Sequence, residues 1–173
     1  MFSRGRPRQL ETEAELYEAA LRALVRRAHS AEEMRKKLAR YTRNDLLVRV
    51  VMARLKENGQ LDDARYAQQF ARNRTLSRKQ GGFRIARELR ARGVADNDIS
   101  AALDLSAAET DPVLLVRQRI ERKLKSMRGQ PDEKRIASIY GSLLRAGFPA
   151  DLIRGELKRL TRRAPPETET EAD

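Results

Sequence analysis

The chain has 173 residues, no Cys, no Trp and one His; 36% of its residues are charged, 5% are aromatic, and its net charge is +12. The missing Cys excludes a disulfide scaffold and a thiolate metal centre, and the longest apolar runs fall far short of the ~20 residues a bilayer span needs, so no membrane span is expected. Any core must be built from Leu, Ile, Val and Ala, and the basic excess favours a polyanion or an acidic protein surface as partner.

Residues 1–12 form a basic arm with Pro and Gly, expected to be disordered and lacking the apolar segment of a secretory signal, so a cytoplasmic location is expected. Apolar spacing predicts a first helix over about Glu13–Ala28, with Tyr17, Ala20, Leu21, Leu24 and Ala28 on one face. Ser30-x-x-Glu33 then reads as a capping box opening a second helix with a stripe of Ala31, Met34, Leu38 and Tyr41. Asn44 or Asp45 can cap a third helix, which turns Leu47, Val48, Val51 and Leu55 inward and stops at Gly59.

The fourth helix opens at Asp62-Asp63, where a helix start favours negative charge, and faces inward through Tyr66, Ala67, Phe70 and Ala71. Gly81-Gly82 breaks the chain before a helix carrying Phe83, Ile85, Ala86 and Leu89, and Gly93 ends it. Asp96 or Asn97 caps a short helix with Ile99, Ala102 and Leu103. Asp111-Pro112 places a cap before a proline at the first helical position of the seventh helix, marked by Val113, Val116, Ile120 and Leu124. After a break at Gly129–Pro131 come a helix with Ile136, Ile139, Tyr140 and Leu143, a stop at Gly147, and a last helix from Pro149 with Leu152, Ile153, Leu157 and Leu160. Period-two alternation is absent, so no strand is expected.

The spacing Leu89, Gly93, Ile99, Leu103 recurs at Leu143, Gly147, Ile153, Leu157, a shift of 54 throughout. Repetition at this period predicts an all-α, elongated tandem array of three three-helix repeats rather than one globule. The expected boundaries are 13–59, 60–106 and 107–163, followed by an acidic, disordered tail at 164–173. The first repeat fits less closely: Leu38 aligns with Leu89 at a shift of 51, but Thr42 stands where the others have Gly.

No pattern reads as catalytic. His29 has no Cys or His nearby, two adjacent carboxylates at a helix start do not converge on an ion, and the glycines form no phosphate loop. No metal, cofactor or catalytic residue is expected. The acidic tail carries four acids and no base, which leaves the body at +16. Part of that charge has a bland explanation, because Glu18/Arg22, Glu32/Lys36, Glu33/Lys37, Glu88/Arg92 and Glu121/Lys125 can pair at i,i+4 along exposed helices. The remainder suggests an extended footprint on an anionic partner. Its candidate contacts are Arg72, Arg74, Lys79, Arg84, Arg87 and Arg92 in the second repeat and Arg119, Arg122 and Lys123 in the third, with Arg84 and Arg87 sharing a helix face. A helix-turn-helix DNA-binding protein is the alternative, weakened by the scarcity of Asn and Gln for reading base edges.

The run Leu61-Asp62-Asp63-x-Arg65-Tyr66-Ala67-x-x-Phe70, then Arg74, then Gly82-x-Arg84-Ile85-x-x-Glu88-Leu89-x-x-x-Gly93-Val94, resembles the signature of bacterial RecX regulatory proteins. Ser30-x-x-Glu33-x-x-x-Lys37-Leu38 upstream and Leu143-Leu144-x-x-Gly147-Phe148-x-x-x-Leu152-Ile153 downstream are similar to the flanking parts, so the resemblance covers about Leu16–Leu160. One departure is Gln60, where the family places an aromatic. The resemblance implies a modulator, mainly an inhibitor, of the RecA recombinase. Such a protein lies in the groove of the RecA–DNA filament, touches DNA weakly through phosphates and needs no cofactor. A monomer is expected.

Overall fold

A computed structural model describes residues 9–127 and 131–161. Among these residues there are nine helices and no strand: α1 (Glu13–Arg26), α2 (Ala31–Leu38), α3 (Asp45–Glu57), α4 (Asp63–Arg78), α5 (Gly82–Arg90), α6 (Asp96–Glu109), α7 (Pro112–Lys125), α8 (Glu133–Arg145) and α9 (Ala150–Thr161). The arm at 1–8, the break at Gly129 and Gln130, and the tail at 164–173 lie outside the described residues. Ordered contacts begin earlier than expected: the Leu10 N–H donates to the Tyr41 carbonyl at 2.7 Å, Leu10 packs on the core, and Thr12 caps α1 by accepting from the Glu15 N–H.

Three of the predicted caps form, whereas α6 already includes Asp96 and Asn97, so neither stands at its cap position. Ser30 and Glu33 make the reciprocal capping box of α2, Asn44 accepts from the Leu47 N–H, and Asp111 accepts from the Val113 N–H with Pro112 at the first helical position of α7. The two carboxylates at the start of α4 divide their labour. Asp62 Oδ1 accepts from the Arg65 N–H at 2.9 Å, whereas Asp63 Oδ1 accepts from the Ala31 N–H at 2.8 Å and so satisfies an orphan donor of α2.

The helices gather into two compact units whose boundary runs through the middle triplet. Among the described residues, the first unit comprises 9–69 and 89–101. Within it α1, α2 and α3 pack on one another around Leu16, Ala20, Met34, Leu38, Val51 and Leu55. The inner face of α1 is centred on Leu16, Ala20 and Ala23, with Tyr17, Leu21 and Leu24 at its flank. Tyr17 stays at the rim because its hydroxyl needs polar partners: it donates to Gln60 Oε1 at 2.7 Å and accepts from Asn58 at 3.0 Å. Gln60 thus serves as the hydrogen-bond acceptor that holds the Tyr17 hydroxyl.

Among the described residues, the second unit comprises 70–88, 102–127 and 131–161. Here α7, α8 and α9 pack mutually around Val116, Ile120, Ile136, Ile139, Leu143, Phe148, Ile153 and Leu157. Each such side chain contributes roughly 1.5–3 kcal/mol on burial. The parts of α4, α5 and α6 in this unit bury Ala71, Ile85, Ala86 and Ala102 and are also joined by polar bridges. Thr75 and Ser106 share a buried hydrogen bond of 2.9 Å, Arg72 meets Glu109, and Arg74 meets Glu88. The third helix of the middle triplet is not short; it runs on to Glu109, past the expected boundary at 106.

The repeat period is written into the hydrogen bonding. In each triplet one carbonyl of the turn between the second and third helices accepts a donor from earlier in the chain. The Tyr41 carbonyl takes the Leu10 N–H, the Arg92 carbonyl takes the Ser30 hydroxyl at 2.6 Å, and the Ala146 carbonyl takes the Gly81 N–H at 2.8 Å. Positions 41, 92 and 146 are related by the same shifts of 51 and 54. Gly93 and Gly147 have φ +76° and +92°, and a Cβ on either would collide with Glu32 or with the Arg84 backbone. In the first triplet the approaching segment is the extended chain at Leu10 rather than a helix start, and Thr42 is accepted there, its hydroxyl bound by the Asn44 N–H.

Candidate partner-binding surface

The structure sorts the nine candidate cations into two classes. Four are engaged internally. Arg72 pairs with Glu109 at 3.0 Å. Arg74 pairs with Glu88 at 3.0 Å and lies over the Phe70 ring. Arg84 pairs with the same Glu88 at 3.2 Å and donates to the Arg145 carbonyl. Arg92 lies 3.8 Å from Glu33. These charges fasten helices together, so the two-cation contact expected from Arg84 and Arg87 reduces to Arg87, which is exposed.

Lys79, Arg87, Arg119, Arg122 and Lys123 form the second class: among the described residues none has a carboxylate partner. Arg119, Arg122 and Lys123 stand at i, i+3 and i+4 on α7 and share one face. Arg119 is half-buried, and its Nη1 donates to the Lys79 carbonyl at 2.9 Å. Burial, and then the charge of Arg122, lower its pKa from the ordinary guanidinium value. A desolvated guanidinium next to a second one is a situation that an incoming anion relieves. Lys79 itself has φ +51° at the end of α4, an uncommon conformation for a residue with a side chain. The second unit therefore brings Lys79, Arg119, Arg122 and Lys123 together as an uncompensated cationic group, while Arg87 stands on α5.

Of the expected i,i+4 pairs, Glu18/Arg22 and Glu32/Lys36 are formed. Glu33 and Glu88 are drawn into tertiary contacts instead. Glu33 accepts from Arg27 at 2.9 Å and from the Tyr66 hydroxyl. Burial pushes its carboxyl up, but Arg27, the Ser30 N–H and Arg92 outweigh that and hold it below the usual range.

Sequence reasoning missed two features. Glu156 is buried between Arg117 (2.9 Å) and Arg159 (3.0 Å), a triad with members 39 and 3 residues from the acid. Phe83, expected inside, is 68% exposed. The wheel of α5 explains it: Ile85, Ala86 and Leu89 take the buried arc, and Phe83 falls on the opposite arc with Arg87 one turn on.

Among the described residues no group of three or more His, Cys, Asp or Glu converges on a metal position, and no helix is long and apolar enough to cross a membrane. His29 is buried, its Nδ1 2.9 Å from the Arg27 carbonyl.

Residues 62–103 match the family described as "RecX, second three-helix domain". The chain is 42% identical over 138 residues to "Regulatory protein RecX" of Halorhodospira halophila, covering 79% of this chain and 83% of that protein. It is 34% identical over 143 residues to the protein of the same name in Thermobifida fusca, covering 80% and 76%. The fold is similar to the crystal structure of RecX from Lactobacillus salivarius, with a TM-score of 0.77, 22% identity, and coverage of 86% of this chain and 96% of that one.

Proposed function

Because the chain belongs to the RecX family of regulatory proteins, we propose that it modulates, and mainly inhibits, the RecA recombinase by binding the RecA–DNA filament. The observation that carries this reading is the uncompensated group of Lys79, Arg119, Arg122 and Lys123. These cations are held in place by the fold and left without internal counter-charges, as a surface for an acidic protein groove or for phosphates requires. Arg87 adds a further unpaired charge. Three repeats, which we assign to the triplets α1–α3, α4–α6 and α7–α9, give several points of contact, and multi-point contact gains through effective concentration once one point is docked. In this reading the protein acts in the cytoplasm as a monomer and without a cofactor.

An ATPase time course of RecA on single-stranded DNA, with and without the protein, tests the proposal. A fall in turnover that scales with added protein is expected. An unchanged time course, combined with sub-micromolar, sequence-selective binding of DNA alone at physiological salt, would replace the proposal with a DNA-reading function.

A further inference from the structure

Phe83 and Leu144 are both solvent-facing, at 68% and 39% exposure, and both belong to one junction of the second unit. The Phe83 N–H donates to the Gly147 carbonyl at 3.1 Å, and the Gly147 N–H donates to the Leu144 carbonyl at 2.8 Å. Beside them Arg84 reaches the Arg145 carbonyl at 3.3 Å. Scattered surface apolar residues are ordinary, but this pair has an internal control. The first unit builds the equivalent junction where α2 meets the Gly93 turn. By the shifts of 51 and 54, Glu32 stands there in place of Phe83 and Arg90 in place of Leu144. Both of those charges are neutralised locally: Glu32 by Arg35 at 2.8 Å and Lys36 at 3.3 Å, and Arg90 by Asp96 at 2.7 Å. A helix start is therefore also seated on such a turn with polar, self-satisfied side chains, there through the Ser30 hydroxyl on the Arg92 carbonyl. Packing of the second unit does not demand an exposed aromatic and an exposed leucine.

We propose that Phe83 and Leu144 form an apolar anchor, flanked by Arg87 and Arg145, for an acidic segment of the partner protein that itself presents an apolar side chain. Arg87 and Arg145 are exposed, and among the described residues neither has a carboxylate partner; this sets the charge of the occupant. The leucine sets its class. An aromatic and an aliphatic side chain exposed at one junction offer an apolar surface to another aliphatic or aromatic side chain, whereas strand binding by stacking uses successive flat platforms. An aromatic residue with arginine at its edge is also the composition in which protein interfaces concentrate their binding energy. The inference deepens the proposed function and rests on it, since the partner in question is the RecA filament.

The test compares the wild-type protein with Phe83→Ser/Leu144→Ser and, separately, with Arg87→Glu. Each is titrated against RecA filaments on single-stranded DNA and against the same DNA alone, and folding is checked by circular dichroism. The double variant is expected to lose about ten-fold or more in filament affinity and to keep its affinity for DNA alone. Arg87→Glu, which alters no buried group, is expected to weaken filament binding most at low salt. Wild-type filament affinity in both variants would overturn the anchor and leave the RecA reading intact. A parallel loss of affinity for DNA alone would make the occupant a nucleic acid and overturn it as well. Failure of the wild-type protein itself to bind the filament would remove both proposals.

Discussion

The Ser30 hydroxyl donates to the Arg92 carbonyl at 2.6 Å, across 62 residues of sequence, while its oxygen accepts from the Glu33 N–H. One side chain thus caps α2 and ties it to the turn between α5 and α6. Ser30→Ala removes both interactions. A lost N-cap costs about 1 kcal/mol and a buried hydrogen bond about 1 kcal/mol more. Chemical denaturation of the variant should show a destabilisation of about 2 kcal/mol; a change below ~0.5 kcal/mol would mean the tie adds nothing.

Two glycines should respond with opposite signs. Gly147 has φ +92°, and a Cβ there would overlap the Arg84 backbone; Gly147→Ala should destabilise by about 2–4 kcal/mol. Gly155 sits inside α9, and a methyl group added to it would meet nothing within 4 Å. Gly155→Ala should stabilise by roughly 0.5–1 kcal/mol through helix propensity. Melting curves of the two variants, shifted in opposite directions, would check both.

Acid should destabilise the protein in two stages. Burial is the largest influence on His29 and lowers its pKa below 6.5, with the Arg27 charge adding to that and the Arg27 carbonyl opposing it. The unfolded chain therefore takes up this proton first, and stability begins to fall below about pH 6.5. Three carboxyls then act in the same direction below their ordinary 4.5. Glu32 is lowered to about 2 chiefly by its hydrogen bond from Arg35. Glu156 is lowered first by Arg117, against an opposing burial effect. At Glu33 burial is the largest single influence and raises the pKa, but Arg27, the Ser30 N–H and Arg92 together reverse it. The contribution of these carboxyls is whole above pH 4.5 and drains as pH falls below it. Unfolding free energies from pH 8 to 3 would test the order, and His29→Gln should flatten only the first limb, which begins below about pH 6.5.

Charge changes should separate the two classes of cation. Arg122→Glu with Lys123→Glu touches no internal ion pair and should leave the melting temperature within a degree or two, while inhibition of RecA weakens and the salt slope of any DNA binding drops by about 2. Arg74→Ala breaks the contact with Glu88 and should instead destabilise by roughly 1.5–3 kcal/mol. Equal effects of the two changes on stability would erase the distinction.

Much of the fold was legible because its signals are local. A cap lies within three residues of the N–H it satisfies, as at Ser30, Asn44 and Asp111. The stops at Gly93 and Gly147 follow from one residue's backbone, and the echo of Leu143–Leu157 with Leu89–Leu103 needs no coordinates. The candidate surface was legible only as a set of bases. Arg84 and Arg87 look alike on a helical wheel, yet Arg84 is held by Glu88 and by the Arg145 carbonyl, the latter 61 residues distant.

By itself the sequence determined nine helices with most of their ends, the repeat that relates them and the family motif, since each depends on hydrogen bonds and apolar spacing within a few residues. Tertiary structure alone decided that Asp63 serves α2, that Glu156 sits between two arginines, that Phe83 faces solvent and that Lys79, Arg119, Arg122 and Lys123 remain uncompensated. The physical reason is that ion pairing and burial depend on which distant groups arrive within about 4 Å, and arrival is a property of the packed chain and not of any window along it.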